Sequence, residues 1–132
     1  GADVARIKQT IDSFAPERRG DQWAGIGLAA SYTGGVDLSE IRALTHLAGD
    51  HLPRLVEGAA VAAKNRSDVG NTSVASDATI ELICGLPRTK VTDYTQDALD
   101  DLALAGPVPA YFAWRARLAA IGPVNAGRWR TV

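Results

Sequence analysis

The segment LPRLVEGAAVAAK, residues 52–64, gives the clearest indication of how this chain folds. Its apolar residues recur at intervals of three and four, the spacing that places them on one face of an α-helix. Alanine supplies much of that face, and small side chains let a second helix approach near the lower end of the usual range of about 8–10 Å between axes. We therefore predict a closely packed helix over about 51–65.

Three helices are predicted on the N-terminal side of this segment. Asp3 can cap the first helix, whose apolar residues form a single stripe. Pro16 suits the first turn of a second helix that reaches about Thr33. Asp37, followed three residues later by a glutamate, predicts the N-cap of a third helix, and Gly49 predicts its end.

Gly25 and Gly27 lie inside the second predicted helix. Each glycine costs about 1 kcal/mol relative to alanine in an exposed helix. We expect the compensation to be close approach of another helix to the backbone at both positions.

On the C-terminal side, Asp50 is predicted to cap the helix over 51–65. Three further helices are predicted, over about 73–84, 86–102 and 109–121. In the first of these, Val74, Ile80 and Ile83 are expected to face inward, and the next is expected to bury Val91 with either Tyr94 or Thr95.

No segment alternates with the period of a strand over a useful length. The prediction is therefore an all-α fold of about seven helices, packed as a bundle or as stacked helix pairs. Residues 1–121 are expected to form one helical domain, and 122–132 a tail. The chain begins with Gly1 and contains no methionine, so we interpret it as the C-terminal part of a longer protein.

The composition excludes several classes of partner. Lys and Arg number 14 and Asp and Glu 15, so the surplus of positive charge that a duplex-binding domain needs is missing. No apolar run approaches the roughly 20 residues that span a bilayer. The single cysteine, Cys84, allows no internal disulfide and suits a reducing compartment, so a cytoplasmic location is predicted.

Templates for metal and nucleophile chemistry are poorly matched. His46 and His51 are five residues apart, so they cannot share one helix face, and no metal site is predicted. Cys84 lies at a predicted helix C-terminus, where the helix dipole disfavours a thiolate, and a buried structural role is expected. General acid–base chemistry without a cofactor is the only type of catalysis that the remaining residues support.

Glu57 is the carboxylate that this chemistry would use, with His51 and Arg54 as further candidates. Glu57 lies in the middle of the alanine-rich helix. Either it is exposed and pairs with Arg54 three residues earlier, or it is an internal carboxylate that must be paired or protonated.

Aromatic residues are few, and they admit two interpretations. Trp23, Tyr32, Tyr111 and Trp114 could line an apolar cleft, with Trp23, Tyr32 and Trp114 as candidate ligand-binding residues. Alternatively, the same side chains fill the core.

Several segments, taken in order, resemble the C-terminal region of the UnbL-type enediyne biosynthesis proteins, an actinobacterial family of unknown function. The resemblance covers residues 1 to about 118, and 119–132 depart from it. The segments that carry it are GADV at 1–4, WAGIGLA at 23–29, YTGGVD at 32–37, EGAAVAAK at 57–64 and LICGL at 82–86.

The resemblance implies a setting in secondary metabolism, because the genes of this family accompany enediyne polyketide synthases. It also implies a longer protein, so the missing N-terminal half is an expected partner of this chain. The family offers no catalytic motif that could be assigned to residues here.

Three functions remain open on this basis. The first is an accessory role in which the protein handles or matures an apolar polyketide intermediate. The second is a helical interaction module without chemistry, which docks pathway enzymes; self-association into a homo-oligomer is a separate expectation about partners. The third is sequestration of the finished enediyne as self-resistance. The first is preferred.

Overall fold

The structure is a computed structural model that describes the backbone of residues 3–104 and 110–119 and the side chains of residues 3–100 and 113–119. Within those residues it contains seven α-helices, a 3₁₀ turn and no strand, which confirms the predicted all-α fold. The elements are α1 (Val4–Asp12), α2 (Pro16–Thr33), α3 (Leu38–Ala48), the 3₁₀ turn (Gly49–His51), α4 (Leu52–Asp68), α5 (Val74–Cys84), α6 (Arg88–Leu104) and α7 (Ala110–Ala119).

Local signals in the sequence set most of the helix ends. Asp3, Asp37 and Ser73 each accept a hydrogen bond from a backbone N–H in the first turn of α1, α3 and α5. Gly34 and Gly85 end α2 and α5 in the left-handed conformation, with φ of 58° and 73°. Each of these glycines donates its N–H to the carbonyl four residues earlier, which is a common way to end a helix.

The start of α4 differs from the prediction. Asp50 does not cap it, because residues 49–51 form a 3₁₀ turn that leads directly into Leu52, and no side chain caps the helix. Gly49, at a φ of 53°, makes the change of direction after α3. The predicted Asp50 cap is therefore wrong: Asp50 lies within a turn that replaces the expected break.

The end of α4 lies three residues beyond its predicted position. Arg66 is nearly buried, and its Nη1 donates to the Tyr32 carbonyl oxygen at 2.8 Å. Lys64 also pairs with Asp68 at 2.5 Å along the last turn. These contacts hold in helical form the polar residues that follow the predicted end of the helix.

Helix α4 occupies the centre of the bundle and contacts α2, α3, α5, α6 and α7. Its most extensive partner is α2. A Cβ added at Gly27 would collide with the Leu55 carbonyl oxygen, and one added at Gly58 would collide with the Ala24 carbonyl oxygen. The two backbones therefore touch directly, as the small side chains of residues 52–64 predicted.

The expectation for the two glycines of α2 is confirmed at Gly27 and is wrong at Gly25. A Cβ added at Gly25 would meet no atom within 4 Å. Gly25 faces open space rather than a neighbouring helix, so packing does not explain its lack of a side chain.

The burial of individual residues shows which face of α5 packs against the core. Val74 is 88% exposed, so its predicted inward position is wrong. The buried face of α5 is set by Ser76, Thr79, Ile80 and Ile83, and Val74 lies about 200° around the helix from Ser76 at 100° per residue.

In α6, Val91 is buried as predicted. Of the two open alternatives, Thr95 is buried and Tyr94 is 38% exposed.

Among the described residues, no helix is long and apolar enough to cross a membrane. The predicted tail over 122–132 lies outside the described residues.

Candidate functional site

Glu57 is an internal carboxylate, only 2% exposed, on the central helix α4. Its Oε2 lies 3.1 Å from Nε of Arg54, one turn earlier on the same helix. Its Oε1 lies 3.3 Å from Nε of Arg115 on α7. The pairing with Arg54 expected from the sequence is therefore present, but in a buried carboxylate rather than an exposed one.

Burial dominates the electrostatics of this carboxyl group. It raises the pKa of Glu57, while the positive charges of Arg115 and Arg54 oppose the rise. Two guanidiniums thus compensate one buried charge, which is the arrangement that a buried ion needs if it is to remain ionised.

Arg54 also reaches a second carboxylate. Its Nη2 donates to Oδ1 of Asp21 on α2 at 2.6 Å, and Asp21 is 74% exposed. We call Asp21, Arg54, Glu57 and Arg115 the ion-pair cluster; it joins α2, α4 and α7.

Sequence reasoning missed two members of the ion-pair cluster. Arg115 follows the buried Trp114 and precedes the buried Leu118 by three residues, so it flanks the inward stripe of α7. That position is the only signal in the sequence, and it does not identify Glu57 as the partner. Asp21 carries no comparable signal, because its contact depends on the crossing of α2 and α4.

His51 lies in different surroundings from Glu57. It belongs to the 3₁₀ turn and lies near Asp12 of α1. The pKa of Asp12 is lowered mainly by a hydrogen bond from Lys8, with smaller contributions from charges that include His51. Of the three candidate catalytic residues, the structure thus pairs Arg54 with Glu57 and places His51 beside another helix.

The aromatic candidates occupy different environments. Trp23 is 1% exposed within the core, and Trp114 is buried with its Nε1 donating to the Thr95 carbonyl oxygen at 2.9 Å. Tyr32 is 39% exposed, and the Arg66 guanidinium lies 6.0 Å from the centre of its ring. The two tryptophans therefore fill the core, and the side chain of Tyr111 lies outside the described residues.

Metal and thiolate chemistry each set requirements for the described residues. In the described part of the chain, no three His, Cys, Asp or Glu side chains are grouped so as to hold a metal ion. Cys84 is buried as expected, and burial raises the pKa of its thiol to about 12.

An apolar groove opens on a different face of α2 from the ion-pair cluster. One cavity of about 500 Å³ lies between α1 and α2, and a second of about 180 Å³ continues it towards α3. Both cavities are lined by Ile7 and Ile26, so they form one surface that we call the α1–α2 groove. The other apolar lining residues are Ile11, Phe14, Ala29, Ala30, Val36 and Leu44.

The sequence predicted a single apolar stripe on α1. The structure uses it twice, since Ile11 is buried while Ile7 is only partly covered and faces the groove. Periodicity identifies an apolar face but does not show how completely a neighbouring helix covers it.

No curated protein and no solved structure is similar enough to this chain to count as a match. A family model described as "Protein of unknown function (DUF1702)" matches residues 1–121. The match covers nearly the whole chain, and the chain belongs to the DUF1702 family.

Proposed function

We propose that this protein binds an elongated apolar small molecule in the α1–α2 groove and acts as a cytoplasmic accessory protein of enediyne polyketide biosynthesis. The observation that carries the binding role is the groove itself. The resemblance to the UnbL-type proteins supports the biosynthetic setting, and the single buried cysteine supports the compartment.

The dimensions and lining of the groove support an apolar ligand. Small-molecule sites have volumes of about 300–1,000 Å³ and are mostly apolar with a few polar groups. The larger cavity alone, at about 500 Å³, falls in that range. Thr10, Gln22 and Thr33 supply neutral polar atoms along the lining, enough to orient a chain with isolated oxygen functions, and the charged residues Asp3 and Arg6 also line the larger cavity.

The position of Glu57 supports handling of the ligand rather than acid–base chemistry on it. Glu57 does not line the groove, and both of its oxygens are paired with guanidiniums. A general base must reach the proton that it abstracts, within about 3 Å or through one water. We therefore propose that the protein shields or presents the intermediate.

The test is a titration of the 132-residue chain with a conjugated polyene fatty acid, whose fluorescence rises when it leaves water. Saturable binding is expected. Ala29 is exposed and lines the groove, so Ala29→Trp should fill it and weaken binding at least tenfold. The matched control is Ala75→Trp on α5, also exposed and away from the groove, which should bind like the wild type.

Two results would refute the proposal. One is the absence of saturable polyene binding by the wild-type chain. The other is equal affinity in the wild type and Ala29→Trp, which would locate the binding elsewhere.

An interaction role is the second candidate, and it uses the same surface. A groove between two helices suits the apolar face of a third helix. The N-terminal half expected from the resemblance would supply that helix, or a second copy of this chain would. If the N-terminal half covers the groove, the longer protein should fail to bind the polyene that the 132-residue chain binds. If a second copy covers it, analytical ultracentrifugation should detect a dimer, and that dimer should fail to bind the polyene that the monomer binds.

A further inference from the structure

A separate cavity of about 190 Å³ lies where α2, α4 and α7 meet. It is not part of the α1–α2 groove. Its lining is Asp21, Ala24, Gly25 and Leu28 from α2, Arg54 from α4 and Arg115 from α7. The lining thus combines a small apolar surface with two guanidiniums contributed by different helices.

Gly25 is the first indication that this cavity can admit a ligand. A glycine in an exposed helix destabilises that helix relative to alanine. Gly27 recovers that cost through contact between helix backbones, whereas Gly25 faces space with no atom within 4 Å of a Cβ. A glycine that leaves backbone accessible at a cavity allows a ligand to approach closely.

The two arginines are the second indication. Guanidiniums bind carboxylate and phosphate groups through paired N–H donors in a fixed planar arrangement. Arg54 and Arg115 are both held by the buried Glu57, and their side chains remain 39% and 25% exposed. Glu57 therefore fixes two cationic groups at the cavity.

Asp21 shows what kind of group the cavity accepts. Its carboxylate is paired with Nη2 of Arg54 at 2.6 Å, although the side chain is 74% exposed. An exposed ion pair of this kind contributes little to stability, so another anion can displace it at little cost. Displacement frees the Nη2 donor of Arg54, and the exposed Asp21 side chain can then turn towards water.

We propose that this cavity is a binding site for a small anion, a short-chain carboxylate or a phosphate group, that replaces Asp21 on Arg54 and is also held by Arg115. The volume corresponds to about six water molecules at roughly 30 Å³ each, which limits the ligand to a few heavy atoms. Ala24 and Leu28 would contact the apolar end of a short carboxylate. A phosphate would use the guanidiniums alone.

The test follows the backbone amide resonances of the ¹⁵N-labelled 132-residue chain during titration with butyrate and, separately, with inorganic phosphate. Chloride keeps the ionic strength constant. Saturable shifts centred on Gly25 and Leu28 are expected, and the anion that saturates at the lower concentration identifies the preferred class. Asp21→Asn removes the internal competitor, so it should tighten binding about two- to fivefold.

Gly25→Leu is the blocking variant, because its side chain would occupy the cavity. Ala75→Leu places the same side chain on an exposed position of α5 that lines neither this cavity nor the α1–α2 groove, and it should leave anion binding unchanged. Thermal unfolding confirms that both variants fold. Undiminished binding by Gly25→Leu, weaker binding by Asp21→Asn, or no saturable shift with either anion would each overturn the proposal, and none of these results bears on the α1–α2 groove.

Discussion

Gly27 of α2 and Gly58 of α4 form a reciprocal contact in which each glycine lies against the backbone of the other helix. Gly27 faces the Leu55 carbonyl and Gly58 faces the Ala24 carbonyl. The two positions are 31 residues apart, yet they belong to one crossing, and that crossing joins the central helix to its most extensive partner.

The first prediction concerns this crossing. Gly27→Ala should lower the free energy of unfolding by about 3 kcal/mol, because the new Cβ meets backbone, which cannot rotate away as a side chain can. Gly25→Ala is the matched control on the same helix: its Cβ meets nothing, and better helix propensity should raise stability by up to about 1 kcal/mol. Urea unfolding measures both changes. Similar effects at the two positions would contradict the described contact.

The second prediction concerns the buried carboxylate. Glu57→Gln leaves Arg54 and Arg115 without their shared negative partner. Removing one member of a buried pair costs about 3–5 kcal/mol, but both guanidiniums reach water, so a loss of about 1–3 kcal/mol is expected. Asp21→Asn, at the exposed end of the same cluster, should cost less than about 1 kcal/mol. Chemical denaturation compares the two, and a larger loss at Asp21 would refute the assignment.

The third prediction concerns pH. Burial raises the pKa of Glu57 in the folded chain above its ordinary value of 4.5. At a pH between 4.5 and the folded pKa, this carboxyl group is therefore protonated more often in the folded chain than in the unfolded chain. The contribution of this group to stability therefore falls as the pH rises from 4.5 through the folded pKa. The free energy of unfolding of the wild type, minus that of Glu57→Gln, should decline across that window. A difference that rises with pH would show that the arginines, rather than burial, dominate.

Asp12 and Asp37 do not confuse this measurement. Their pKa values are lowered below 3.8, by a hydrogen bond from Lys8 and by the backbone N–H of Ser39 respectively. Their contributions to stability are present above pH 3.8 and are lost as the pH falls through the folded values. The two effects thus have opposite signs and lie on opposite sides of about pH 4.

The fourth prediction concerns Cys84. Its thiol is buried, and its pKa is raised to about 12, so it should not react with a disulfide reagent at neutral pH while the chain is folded. Reaction should follow unfolding, and its rate should rise with denaturant in step with the unfolded fraction. Rapid labelling of the native protein would show that the helix packing around Cys84 opens locally.

The helices could be predicted from the sequence because their signals are local. Asp37 caps α3 from the position that the sequence indicates, and Gly85 ends α5. Asp50 was wrongly predicted to be a cap because aspartate is favoured both at helix N-caps and in turns. The choice between them depended on how α3 and α4 meet.

The candidate site was predictable only in part. The sequence singled out Glu57 and Arg54, since a carboxylate in an alanine-rich helix needs a partner. It could not supply Arg115, because that contact requires α7 to pack against α4. It could not distinguish Gly25 from Gly27 either, because the difference is whether a neighbouring backbone lies above them.

Because Gly27 and Gly58 contact each other's helices at one crossing, evolution constrains these two distant positions together. A lineage that gains a side chain at either Gly27 or Gly58 must shift the axis of α2, which would also move Ile26 and Gly25, and with them the walls of both cavities. DUF1702 sequences can therefore be sorted by this pair: those that keep both glycines can share the cavities described here, and those that lose one should have recognition surfaces of a different shape.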